Sequence, residues 1–212
     1  MNLSDLSGET ERMSLRPYRL SDYVEFADLH GREEVARYLP WEPRDADASR
    51  AALERHVDMS LETDGDGITL AGLDKVTGRL VGEFVLFLRS VEHRGGELGY
   101  ILHPAFQGRG LATEGARAVL KFGFEGTGMH RIVARIDARN VASAAVLTRL
   151  GLRKEAHLVK NELFQGEWSD EADYAMLAEE WSSNKASSAI SWKTTAPAPA
   201  SVSAGQSPPA NP

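Results

Sequence analysis

The sequence predicts one α/β domain, a mixed sheet with helices on both faces, over residues 13–181. Three observations predict it. Runs of apolar residues at period two alternate with runs at period 3.6 along the whole of that span. Three strand-like runs follow one another as a meander and are then succeeded by helix, strand, helix and two strands, an order that places helices on both sides of a sheet. Between the third meander strand and the next helix lies a glycine-rich turn, Gln107-Gly108-Arg109-Gly110.

The elements follow in order. Residues 1–12 carry no periodicity and are expected to be a loose lead-in. Met13–Pro17 reads as a first strand. Ser21-Asp22 offers an N-cap for a helix bearing Val24, Phe26, Ala27 and Leu29, and Gly31 ends it. A short helical piece at Glu33–Tyr38 runs into Leu39-Pro40-Trp41-Glu42-Pro43. The next helix is expected from Asp47 to Leu61, with Leu53, Val57 and Leu61 on one face. Gly67–Leu73 and Leu80–Leu88 are the first two meander strands; the second is apolar at almost every position except Gly82 and Glu83, the pattern of a strand covered on both faces. The third runs from Glu97 to Pro104, where a residue without an N–H ends its ladder.

From Leu111 the spacing becomes helical, and Gly126-Thr127-Gly128 closes that helix. Arg131–Asp137 is a strand. Asn140 caps a helix whose expected apolar face is Ala142, Ala145, Val146 and Leu150, and Gly151 ends it. Two strands, about 153–163 and 168–178, flank the turn Gln165-Gly166. Residues 182–212 hold five of the nine prolines and almost no core-forming side chains, so a disordered tail is expected there.

Composition narrows the function. At 212 residues, with 42% hydrophobic and 26% charged side chains, the chain can bury a sizeable core. It has no cysteine, which removes disulfides, thiolate metal sites and a cysteine nucleophile. The six histidines show no His-x-x-x-His spacing, so no metal is expected. No run of eighteen apolar residues and no signal-like start occur, so a cytoplasmic protein without membrane contact is expected. The net charge of −7 argues against nucleic acid as a ligand and is compatible with a cationic substrate.

The glycine turn carries the chemistry. Gly108 and Gly110 allow a sharp turn with unshielded N–H groups, and a helix beginning at Leu111 aims its own unpaired N–H groups and positive dipole end into it. That arrangement suits a phosphate, or it merely caps a helix; neither a P-loop nor a dinucleotide fingerprint is present.

The ordered series Leu15-Arg16-Pro17, Arg37-Tyr38-Leu39-Pro40-Trp41, Glu97-Leu98-Gly99-Tyr100 and Gln107–Ala112 continues with Asn140-Val141-Ala142-Ser143, Arg149-Leu150-Gly151-Leu152 and Gly166-Glu167-Trp168-Ser169-Asp170. Together these resemble the GNAT superfamily of acyl-CoA-dependent N-acetyltransferases, in particular the branch containing the ribosomal-protein N-terminal acetyltransferases RimJ and RimL. The resemblance implies the GNAT fold and acetyl-CoA as co-substrate. Its pyrophosphate would lie on Gln107, Gly108, Arg109, Gly110, Leu111 and Ala112, and its pantetheine arm along Leu102 and His103 and beside Asn140 and Ser143. It also implies that the third meander strand splays from the strand after the helix.

Without cysteine, direct attack of an amine on the thioester is the simplest route, with no acyl-enzyme. The resemblance implies that Ser143, at the serine of the Asn140-Val141-Ala142-Ser143 motif, is the candidate acid for the leaving thiolate. By the same resemblance Glu162 leads as the candidate base and Glu97 follows; Glu83 comes third, because a lone carboxyl in an apolar strand is expected to have a raised pKa. Trp41, Trp168 and Glu83 are expected at the acceptor pocket. The resemblance implies a primary amine as acceptor: a protein N-terminus, a small amine or an aminoglycoside. A homodimer is compatible with the sequence. Two other classes stay open here, an acyl-CoA-binding module without activity and a protein that sequesters a cationic antibiotic.

Overall fold

The computed structural model describes residues 3, 5–57, 60–164, 166–183 and 190–193. Its strands are β1 (Ser7–Glu9), β2 (Met13–Pro17), β3 (Gly67–Asp74), β4 (Leu80–Ser90), β5 (Gly95–Leu102), β6 (Arg131–Asp137), β7 (Arg153–Phe164), β8 (Glu167–Leu177) and β9 (Ser191–Lys193). Its helices are α1 (Tyr23–His30), α2 (Glu33–Ala36), α3 (Ala46–Val57), α4 (Leu111–Lys121), α5 (Val141–Leu150) and α6 (Ala178–Ser183). The strands form one sheet in the order β7-β8-β6-β5-β4-β3-β2-β1-β9. Neighbours are antiparallel except β5 and β6, which α4 links as a parallel pair.

Period-two alternation divides the core between the two faces. Leu98 and Leu102 of β5 join Phe84, Leu86, Val119 and Leu147 beneath α4 and α5. Ile101, one residue away, joins Phe26, Leu29, Leu53 and Ala71 beneath α1 and α3. Burial on both faces explains the near-continuous apolar run of β4. Gly115 lets α4 sit close to the sheet: a Cβ there would come within 2.2 Å of the Phe84 ring. After α4 the chain makes a single π-helical turn at Phe122–Gly126, with Thr127 N–H bonded to the Phe122 carbonyl at 3.0 Å.

Several expectations are corrected. The lead-in is structured at Leu6–Thr10: Leu6 is buried, and β1 pairs with β2 and with β9. The tail expected to be disordered contributes β9, where the Trp192 ring covers Gly8, lies 5.1 Å from Phe122 and donates to the Ala118 carbonyl at 3.1 Å. Residues 184–189 and 194–212 of that expected tail, and Gln165 of the expected turn, lie outside the described residues. Strands β1 and β9, of three residues each, are too short to show a period, which is why neither was legible.

Asp22 precedes α1 but does not cap it through its side chain, because its carboxylate is held by Arg16 at 2.7 and 2.8 Å. Val24, one of the apolar residues read in α1, is 76% exposed. Helix α3 is described as far as Val57 and does not reach Leu61, where the Asp66 carboxylate gathers the N–H groups of Glu62 and Thr63 into a turn.

Candidate active site

The parallel ladder between β5 and β6 has only three register pairs, Gly95↔Arg131, Gly96↔Ile132 and Glu97↔Val133. Both strands continue beyond it, β5 to Leu102 and β6 to Asp137, while each stays paired to its other neighbour. The two strands therefore splay. The N–H of His103 is taken by the Val81 carbonyl of β4 at 2.9 Å. Alternation along the strand then directs the Leu102 N–H the other way, into the gap.

At the end of β5, Pro104–Phe106 form one 3₁₀ turn, and the chain reaches Gly108 and Gly110, with φ of 71° and 77°. These left-handed conformations disfavour a side chain, and a Cβ at Gly108 would meet nothing within 4 Å. Gly110 is the N-cap of α4, and no side chain among the described residues caps this end. The first helical bond is Glu114 N–H to the Gly110 carbonyl at 3.1 Å, so the N–H groups of Leu111, Ala112 and Thr113 precede it and face the turn. The turn is braced from behind by Arg12, which donates to the Arg109 carbonyl at 2.8 Å and to Glu114 at 2.7 Å. Burial pulls the Glu114 carboxyl upward, but hydrogen bonds from Thr10 and Arg12 outweigh it and hold it below the usual carboxylate range. Thus the end of the expected lead-in supports the turn.

The turn, the splay and the start of α5 open into one cleft of about 1390 Å³. Asn140 Oδ1 caps α5 by accepting the Ser143 N–H at 3.0 Å, and both residues line the cleft. Tyr100, from the splayed part of β5, donates its hydroxyl to the Ser143 carbonyl at 3.3 Å. Burial pushes that phenol up to about 12, so it stays protonated. Ala142, Ala145, Val146 and Arg149 face the cleft at helical spacing, while Leu147 and Leu150 face the core. Most of the face expected to be buried is therefore an open wall. Arg149, which sequence reasoning gave no role, donates to Thr113 Oγ1 at 3.1 Å and places a cation beside the first turn of α4. Its helical register with Ala142, Ala145 and Val146 was the available signal.

Of the residues expected to hold coenzyme A, Leu102, Gln107, Gly108, Gly110, Leu111, Ala112, Asn140 and Ser143 line this cleft. Gln107 Nε2 also donates to the Leu102 carbonyl at 3.2 Å. Two others do not line it. His103 is buried, with its ring nitrogens engaged by Asp28 at 3.0 Å and by the Ala105 N–H at 3.1 Å. Arg109 turns its guanidinium over the Phe106 ring, 5.6 Å from the centroid.

The expected acceptor and base residues are dispersed. Trp168 is 60% exposed on the β7–β8 hairpin, and Trp41 packs under Arg44, 4.8 Å from its guanidinium. Glu97 accepts from Arg89 at 2.8 Å and from Arg135 at 3.0 Å. Glu83 is buried between His30 at 3.0 Å and His56 at 3.6 Å. Burial alone would raise its carboxyl as expected, but the hydrogen bonds from the two histidines outweigh it and lower it to about 2. Glu162 is exposed, opposite Ser169 and against Glu171, whose carboxyl is pushed up to about 7 by burial and by that neighbour. Sequence reasoning missed Glu171, since nothing in its local pattern marks the pairing with Glu162. None of these carboxylates lines the cleft; the acids that do are Glu33, Glu34 and Glu42.

Residues 12–153 match the family model described as acetyltransferase (GNAT) domain. The chain is 28% identical over 172 residues to YnaD, an uncharacterized N-acetyltransferase of Bacillus subtilis (strain 168), covering 81% of this chain and 97% of that protein. It is 25% identical over 163 residues to the spermidine N(1)-acetyltransferase of Escherichia coli (strain K12), covering 74% of this chain and 81% of that one. Its fold superposes with a TM-score of 0.75 on the crystal structure of a GNAT-family acetyltransferase from Bacillus anthracis, at 26% identity, covering 82% of this chain and 99% of the other. A splayed parallel pair, an uncapped helix start behind a left-handed glycine turn, and a family match spanning both are one result: this chain belongs to the GNAT family of acetyltransferases and is an N-acetyltransferase.

Proposed function

We propose that the chain moves an acetyl group from acetyl-CoA directly to a primary amine, with both substrates in the cleft between β5 and β6. The observation that carries this reading is the continuity of the cleft, which joins the glycine turn, the free edge of β5 and the Asn140–Ser143 helix start. GNAT acetyltransferases use acetyl-CoA, and the residues present fit it. The diphosphate would meet the N–H groups from Gly108 to Thr113 and the cation of Arg149. The pantetheine arm would pair with the open edge of β5 and lie against Ala142, Ala145 and Val146.

In the reaction the amine nitrogen attacks the thioester carbon, the C–S bond breaks, and the thiolate takes up a proton. The Leu102 N–H, directed into the gap, would donate to the developing oxyanion; one such donor is typically worth about 3–4 kcal/mol in a transition state. Ser143 lines the cleft, where its hydroxyl can protonate the departing sulfur. Because Glu162, Glu97 and Glu83 lie off the cleft, the ammonium proton passes to water. Glu33, Glu34 and Glu42 on the opposite wall draw a cationic amine in.

The test is thiol release from acetyl-CoA with spermidine, an alanine-initiated peptide and an aminoglycoside, each followed by product mass. A gain of one acetyl group on one of these amines is expected. Coenzyme A binding with no acetylated product from any amine would instead point to a binding module.

A further inference from the structure

The segment between α1 and α3 supplies nine of the residues that line the cleft, among them Glu33, Val35, Arg37 and Tyr38. Of its residues only 33–36 are helical, so something else must hold it against the opening. Its two ends meet at His30. The His30 carbonyl accepts the Arg44 N–H at 3.0 Å, and Arg44 Nη1 lies 2.8 Å from His30 Nδ1. On the other side of the ring, His30 Nε2 lies 3.0 Å from Glu83 Oε2.

The partners fix the tautomer. A guanidinium only donates and a carboxylate only accepts, so Nδ1 carries the lone pair and Nε2 the proton. Hydrogen bonds run in one direction, from Arg44 through His30 to Glu83. The ring is 1% exposed and stacks between Phe26, at 4.0 Å and 24°, and Trp41, at 6.0 Å and 26°. Glu83 stands opposite Ile101 of β5 in the sheet register, so the chain of bonds begins beside the splayed strand. The charged and titratable groups packed around it are His56 and Tyr18 next to Glu83, and Arg55, whose charge acts on Arg44. Acetyl transfer as derived above uses none of these groups.

We infer that Arg44, His30 and Glu83 form a latch that fixes segment 31–43 as the acceptor wall of the cleft. They are positioning residues: the sheet holds Glu83, Glu83 and the two aromatic rings orient His30, and the oriented Nδ1 holds Arg44 and the neck of the segment. The inference rests on the proposed use of the cleft, but the latch itself is testable without knowing the amine.

Arg44→Met keeps much of the side-chain length over Trp41 and removes the donors, leaving the buried His30–Glu83 pair intact. Hydrogen exchange of full-length protein should show the amides of 31–43 exchanging about ten-fold faster than in the wild type, with α1 and β4 unchanged. Arg44→Lys, which restores a cationic donor, should recover part of the protection. Calorimetry should find coenzyme A affinity within about two-fold of wild type for both variants, since the glycine turn is untouched. With an amine that proves to be acetylated, Arg44→Met should raise KM for the amine about ten-fold and lower kcat less. Unchanged exchange over 31–43 in Arg44→Met would overturn the latch. So would an equal rise across α1 and β4, which would mean a general loss of stability. Because exchange is read without an acceptor, failure of the amine panel and failure of the latch are separate results.

Discussion

Gly110→Asp, compared with Gly110→Ala, tests where the diphosphate lies. At φ 77° any Cβ stands in the left-handed region, at a stability cost of about 1–2 kcal/mol shared by both variants. Space is not the obstacle, because a Cβ there would be 3.5 Å from Arg12 Nη2, an ordinary contact. The variants differ chiefly in the carboxylate that Asp carries. A carboxylate about 5 Å from a phosphate, at an effective dielectric constant of about 20, costs about 3 kcal/mol, or about a hundred-fold in Kd. The nearby Arg12 guanidinium offsets part of this, leaving an expected loss of about thirty-fold for Asp against a few-fold at most for Ala. Calorimetric titration of coenzyme A into each variant measures the difference, with thermal unfolding to show that both are folded. Normal affinity in Gly110→Asp would refute the placement. Equal losses in the two variants would assign the effect to backbone strain.

Ser143→Ala should lower kcat about ten-fold with little change in acetyl-CoA affinity; unchanged turnover in stopped assays would remove Ser143 from the acid role. The kcat/KM of a peptide acceptor should rise with pH as its own α-amine deprotonates, near about 8, because no carboxylate of the cleft is assigned as base; a limb set instead by a group of the free enzyme would restore a protein base. Gly115→Ala should destabilise the fold by about 1–3 kcal/mol, lowering Tm by several degrees, because the new methyl meets the Phe84 ring; an unchanged melt would show that α4 is not seated as described. Glu171 titrates near 4.5 when unfolded and about 7 when folded, so the folded chain binds more protons across that window and stability falls as pH rises through it. Glu171→Gln should therefore stabilise the protein at pH 8 by about 1 kcal/mol, a value reduced because Glu162 is in solvent, and the gain should vanish in melts below about pH 4.5; a gain independent of pH would contradict the shift.

Much of the fold was legible because its strands and helices announce themselves by period. Met13–Pro17 and Arg131–Asp137 carry the bounds read from the sequence, and Gly151, at φ 93°, ends α5 as a C-cap glycine should. The glycine turn was legible for the same reason, since Gly108 and Gly110 adopt the backbone that only glycine enters cheaply. What remained hidden depends on contacts distant in sequence. Arg12 braces Arg109 across 97 positions, and Trp192 seals α4 from the far end of the chain. The carboxylates misled for a different reason. A lone glutamate in an apolar strand does not reveal that two histidines of other elements will meet it, and those histidines invert the expected shift of Glu83. Likewise, small apolar residues at helical spacing look alike whether they face a core or a slot, so Ala142, Ala145 and Val146 could not be assigned to the cleft from their pattern.

The most direct test of the whole account is a crystal structure of the full chain with coenzyme A. The diphosphate is predicted on the N–H groups between Gly108 and Thr113, with Arg149 beside it and the pantetheine arm lying between β5 and β6 against the Leu102 backbone. Coenzyme A bound outside that gap, or β5 and β6 closed into a continuous ladder with the ligand elsewhere, would contradict it.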